Sequence, residues 1–222
     1  MRVFSKPEVF ASVGLLVFYN NWLLSYFLNP RMSYWQSYVS ELDANGQPHV
    51  WFFRIGNLLG ASLLLTGFLL IKYRQQFLEV SRHNLMLTKF FLIISSTAIL
   101  NAFFPMDCSA SQSLACFQKQ QRYSFSFGQW IHLLTALIMF GGLILANFYV
   151  VYTMKHELGT KAYWLNLTFL ILQMALNTFI AVISITGYGP IGLLQRLSLI
   201  LFEAWVIIIL FSKKPRYFLP TD

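Results

Sequence analysis

The chemistry open to this sequence rests on a few polar residues in an otherwise apolar chain: Glu41, Arg54, Asn57, Asp107, His132, Gln195, Arg196 and Glu203. Asp107, His132 and Glu41 are the types that move protons, and carboxylates near an imidazole can work as an acid/base set. Arg54 and Arg196 are the types that hold a phosphate or carboxylate, because a guanidinium donates to it through a bidentate fork. Arg54 and Asn57 are three apart, which puts them on one helical face, and Glu203 falls two turns from Arg196, about 10 Å along the same face. An ionisable group at the centre of a membrane helix costs roughly 2.5–3.5 kcal/mol on insertion scales, so each such residue asks for a partner or a purpose.

Three readings of the set stay open. Asp107, His132 and Glu41 form a catalytic site, or Arg196, Arg54, Asn57, Gln195 and Glu203 line a cavity that binds or transports an anionic amphipathic molecule. In the third reading, Arg54 or Arg196 pairs with Asp107 or Glu203 only to hold helices together, as in a non-catalytic accessory subunit. Other chemistries are disfavoured. No HExxH or His/carboxylate spacing marks a metalloprotease, and no Gly-x-Ser-x-Gly elbow marks a serine hydrolase. Haem ligation needs facing intramembrane histidines, whereas His49, His83 and His156 fall in or beside loops. No metal or cofactor is expected, and no strongly broken midplane helix signals transport.

The elements that must position these residues are transmembrane helices. The chain has 222 residues, 57% hydrophobic and 11% charged, against roughly 25% charged in a soluble domain. Hydropathy gives six spans: Glu8 to Leu28, Val50 to Ile71, Thr88 to Phe104, Phe127 to Thr153, Tyr163 to Ile185 and Ile191 to Phe211. Each is near the length that crosses a hydrocarbon core of roughly 30 Å, and the period-two alternation of a barrel strand is absent. The sequence therefore predicts an all-α, single-domain bundle over residues 1–222. The first run is too long for a cleaved signal peptide and is expected to stay as a helix.

The net charge of +8 does not point to nucleic acid, because the cations sit in short segments between apolar runs. Arg2, Lys6, Lys72, Arg74, Arg82, Lys89, Lys155, Lys161, Lys213, Lys214 and Arg216 mark the cytoplasmic side, which places both termini inside. The first and third loops mix Arg31, Lys119 and Arg122 with Glu41, Asp43 and Asp107, and are expected outside. Pro30, Pro105 and Pro190 each mark an exit into an outer loop. All the site candidates then belong to the outer half of the bilayer. Asn57 to Ala61 aligns with His132 to Ala136, and the same register sets Gly67 against Gly142; if this repeat is more than chance, the chain is three helical hairpins. Cys108 and Cys116 share the third loop, where an oxidising compartment favours a disulfide over free thiols or a metal site.

Ser40-Glu41-Leu42 with Gly46 and Pro48, Phe104-Pro105-Met106-Asp107, His132, and Gly192-Leu193-Leu194-Gln195-Arg196 together resemble the bacterial and archaeal membrane family called domain of unknown function 998. The resemblance runs over most of the chain and implies a six-helix bundle in a bacterial cytoplasmic membrane, with Glu41, Asp107, His132 and Arg196 as matching positions. That family is distantly similar to the Frag/DRAM/Sfk lipid-remodelling membrane group, which turns the expectation toward membrane lipids as partners. The insert carrying Cys108 and Cys116 departs from the usual family loop. The expected function is binding or processing of an anionic lipid-like molecule at an outward-facing polar cavity.

Overall fold

The computed structural model describes residues 7–77, 82–153, 155, 159–186 and 189–212. Arg2, Lys6, His156, Lys213, Lys214 and Arg216 lie outside the described residues. Helices carry the described chain: α1 (Pro7–Asn20), α2 (Ser25–Leu28), α3 (Val50–Gln75), α4 (Arg82–Phe103), α5 (Leu114–Gln121), α6 (Phe127–Thr153), α7 (Thr160–Thr186) and α8 (Ile191–Phe211). Among the described residues six spans are long and apolar enough to cross a bilayer, the first being α1 and α2 joined through a 3-10 turn over Asn21–Leu24.

Helix starts at Val50, Phe127 and Ile191 fall where hydropathy places them. The differences lie at the opposite end of the bundle. There α3 continues past Ile71 to Gln75, and α4 begins at Arg82 rather than Thr88. Backbone ladders continue beyond the hydrocarbon wherever side chains such as Lys72 and Arg74 reach water and suit a helix C-terminus. His83, expected in or beside a loop, is in the first turn of α4, with Nδ1 3.0 Å from the Tyr149 hydroxyl.

Consecutive spans pack as hairpins, α1 on α3, α4 on α6 and α7 on α8, with α3 against α4 joining the first two. Backbone-to-backbone approach sets the first hairpin. A Cβ on Gly67 would lie 2.4 Å from the Ala11 nitrogen, and one on Gly60 would lie 2.5 Å from that of Phe18. In the second hairpin Gly142 faces Ile94, where a Cβ would meet Cγ1 at 2.9 Å. The two glycines aligned by the internal repeat both face the preceding span, Gly67 against its backbone and Gly142 against the Ile94 side chain. Glu8 bonds Arg74 at one end of the first hairpin and Asn21 bonds Asn57 at the other. The apolar core runs through Phe68, stacked on Phe91 at 4.7 Å, to Trp205 on α8.

Helix α7 is peripheral, with only 11% of its apolar stretch buried. It is tied to α8 by hydrogen bonds: Gln173 donates to the Ser198 carbonyl at 3.0 Å, and Trp205 donates to Asn166 at 2.9 Å. Its contact with α6 is thinner. A gap between α6 and α7 results at the end where the long connections lie.

Candidate functional site

Three connections meet at that end: residues 29–49, residues 104–126 carrying α5, and the short link into α8. The first is clamped onto α8. Arg196 is 3% exposed and donates from Nη1 to the carbonyls of Tyr34 at 3.1 Å, Ser37 at 2.9 Å and Gly192 at 2.9 Å. Its guanidinium carbon lies 5.3 Å from the Trp22 ring centre and 5.0 Å from that of Tyr34, within cation–π range. Gln195 accepts the Val39 N–H at 2.6 Å, and the Gly192 N–H donates to the Trp35 carbonyl at 2.9 Å. A Cβ on Gly192 would sit 2.4 Å from the Ser37 carbonyl oxygen, so only glycine lets the connection lie this close.

Arg54 and Asn57 share a face of α3, as their spacing requires, and both hold the same residue. Arg54 donates from Nε and Nη2 to the Asp43 carbonyl at 3.0 and 2.9 Å, and Asn57 donates to Asp43 Oδ2 at 2.9 Å. Burial pushes the Asp43 carboxyl up from 3.8 to about 6, against the opposing pull of Asn57 and Arg54. Its Oδ1 is buried without a hydrogen-bond partner. A carboxyl raised in the folded state binds its proton more tightly there than in the unfolded chain. Its stability contribution is complete below the unfolded value and is lost as pH rises through about 6. The expected result is that wild type in detergent gains on the order of 3 kcal/mol from this group as pH falls from 7 to 4. Asp43→Asn loses that slope and melts higher than wild type at pH 7.5. Thermal unfolding of both proteins across that range checks it.

Glu41 is 1% exposed and is held by the third loop: Ser109 Oγ donates to it at 3.0 Å, the Ser111 N–H donates at 3.2 Å, and Ser111 Oγ donates as well. Burial pushes its carboxyl up while these donors oppose the shift. Both serines sit inside the ring closed by the Cys108–Cys116 disulfide. Asp107 accepts from Lys119 Nζ at 2.8 Å and from the Ser126 N–H at 3.0 Å, and its own N–H donates to Gln129 at 3.0 Å. Burial works against ionisation of Asp107, but Lys119 and Ser126 outweigh it and hold the carboxyl below its usual value. His132 lies 3% exposed on α6 with Nδ1 2.8 Å from the Phe104 carbonyl. A carbonyl only accepts, so Nδ1 carries the proton and Nε2 of the neutral ring holds the lone pair. Glu203 accepts from Asn20 Nδ2 at 2.7 Å through both carboxylate oxygens.

The ion pairs that the third reading called for, Arg54 or Arg196 with Asp107 or Glu203, are not formed among the described residues. Each of these residues has another partner, and Arg196 is turned to backbone carbonyls. What the end of the bundle does enclose is a cavity of about 930 Å³ in the gap between α6 and α7. Of the candidates from sequence, Glu41, His132 and Gln195 line it; Arg54, Asn57, Asp107, Arg196 and Glu203 do not. Its polar end lies under the connections, and farther from them its walls are apolar side chains such as Leu133, Leu137, Phe140 and Ile180. Leu137 is 70% exposed, so the apolar end reaches the lipid-facing surface. The Tyr38 hydroxyl, 2.7 Å from Ser184 Oγ, bridges the first connection to α7 over this gap.

Sequence reasoning missed the glutamines of this lining, Gln36, Gln120, Gln121 and Gln129. The available signal was a run of glutamines, Gln118, Gln120 and Gln121, between Phe117 and Tyr123. Among the described residues no three His, Cys, Asp or Glu side chains converge as a metal site.

Fold and site together define a multi-pass membrane protein, a six-helix bundle whose loop-bearing end closes around an amphipathic cavity. Residues 12–212 match the family described as Protein of unknown function (DUF998), and the chain belongs to that family. No curated protein and no solved structure matches it.

Proposed function

We propose that this protein binds an amphipathic, lipid-like molecule from the outer leaflet of a bacterial cytoplasmic membrane. The acyl chain lies between α6 and α7, and the head group lies beneath the connections. The single observation that carries this is the cavity's polarity, with Glu41, His132 and Gln195 at one end and Leu137 open to lipid at the other. Its volume of about 930 Å³ is at the upper end of ordinary ligand sites, roughly 300–1,000 Å³. Outward orientation is supported by Lys72, Arg74, Arg82, Lys89, Lys155 and Lys161, all at the opposite end, where positive charge is retained in the cytoplasm. A disulfide on the cavity side agrees with an oxidising compartment. Processing would fall to His132 Nε2 and Glu41, the proton-transfer groups in the lining.

The test is photolabelling in vesicles with a diacyl lipid carrying a diazirine in its chain. Label is expected on α6 and α7 peptides. Ala136→Trp, which fills the cavity wall, should cut it at least tenfold. Leu134→Trp, on α6 but outside the lining, should leave it unchanged. Equal labelling of folded Ala136→Trp and wild type would overturn the reading.

A further inference from the structure

Residues expected to grip an anion are engaged elsewhere, and this decides what the polar end can recognise. No Lys or Arg lines the cavity among the described residues. Arg196 donates to three carbonyls, Arg54 holds the first connection, and Lys119 is paired with Asp107. At the start of α8 the Gly192 N–H goes to the Trp35 carbonyl and the Leu194 N–H to that of Pro190. A phosphate in this cavity would meet Glu41 with no Lys or Arg side chain in the lining to donate to it.

What remains is a set of neutral amides. Gln36 and Gln121 make no side-chain hydrogen bond among the described residues, and both face the cavity's rim. Gln129 and Gln195 use their oxygens on backbone N–H groups, which leaves their NH₂ groups as donors. Tyr38, Phe117, Tyr123 and Phe125 place aromatic rings among these amides. Vicinal hydroxyls match such amides, because each hydroxyl donates to the amide oxygen or accepts from its nitrogen. The C–H face of a sugar ring is an apolar surface that lies flat on an aromatic. A quaternary ammonium has no donors or acceptors and offers these amides no hydrogen-bond partner.

Resting on the lipid-binding reading above, we infer that the head group taken here is an uncharged polyhydroxyl one, a glycosyl group on a diacylglycerol, recognised by Gln36, Gln121, Gln129 and Gln195.

The experiment places the full chain in phosphatidylcholine nanodiscs and follows thermal unfolding by tryptophan fluorescence. It adds a diglycosyl-diacylglycerol, a diacylglycerol or a phosphatidic acid of matched chains. The glycolipid is expected to raise the midpoint by about 3–5 °C, and the other two not to. Gln36→Leu with Gln121→Leu removes side chains without protein hydrogen bonds. This variant is expected to keep the midpoint without glycolipid and to lose most of the shift with it. Equal shifts from diacylglycerol or phosphatidic acid, or a glycolipid shift unchanged in the double variant, overturn the head-group inference and leave lipid binding standing. No shift with any lipid, together with unchanged photolabelling in Ala136→Trp, overturns both.

Discussion

Arg196→Met is expected to give a protein that still inserts but is less stable in detergent, by about 2–5 kcal/mol, and no longer holds ligand in the cavity. The guanidinium is buried and joins parts of the chain far apart in sequence: α8, the Tyr34 and Ser37 carbonyls of the first connection, and the Trp22 ring. Methionine keeps most of the volume and the apolar stem. It leaves the Tyr34 and Ser37 carbonyls without their donor, at roughly 1–3 kcal/mol each if they stay buried. The chain's cheaper response is to let the connection lift, which moves Gln36, Tyr38 and Glu41 away from α7 and opens the roof of the cavity. Arg196→Lys should recover only part of the loss, since a compact ammonium does not lie against the Trp22 and Tyr34 rings as a planar guanidinium does. Thermal unfolding measures the first effect. Photolabelling at a temperature where the variant is still folded measures the second, and an intact cavity in folded Arg196→Met would show that the clamp does not set the roof.

Bulk hydropathy made the spans legible, because a backbone in lipid has almost no alternative to the helix. Spacing also made Arg54 with Asn57 legible as one face, and the glycine register marked where hairpins close. Partners were much less readable. Ranking residues by the cost of burying charge picked out Arg196 and Arg54 as ligand anchors, but a buried guanidinium is satisfied as well by main-chain carbonyls, which hydropathy does not display. The same ranking passed over Gln36, Gln121 and Gln129, whose amides are neutral and scattered over three segments that only the folded connections bring together. The break in the first span was partly visible in Asn20 and Asn21. Their side chains turn to Glu203 and to Asn57, and the helix gives way to a 3-10 turn between them and Ser25. Helix α5 was hidden because its eight residues bury little besides Cys116, and such a helix forms only where capping and covalent attachment hold it.

That attachment leads to the second large effect. Cys108→Ser with Cys116→Ser is expected to lower stability by roughly 2–3 kcal/mol, the loop entropy a short disulfide ring removes from the unfolded chain, and to weaken ligand binding about tenfold or more. The two losses have different causes. Stability falls because the unfolded chain regains freedom; binding falls because the ring carries Ser109 and Ser111, the donors that hold the Glu41 carboxylate, and because α5 begins inside the ring. Ser113 caps α5 through the Cys116 N–H at 3.3 Å, so the cap and the disulfide bear on the same turn. With the ring open, Phe117, Gln120 and Gln121 lose their fixed place over the cavity. Glu41 would then be better hydrated, and its carboxyl should fall back toward the ordinary range from its raised position. Dithiothreitol should reproduce both losses in wild type and change nothing in the double serine variant. If reduction lowers the melting temperature but leaves glycolipid binding intact, the roof is held by the Arg196 clamp and the Tyr38 bridge alone, and α5 has no part in recognition.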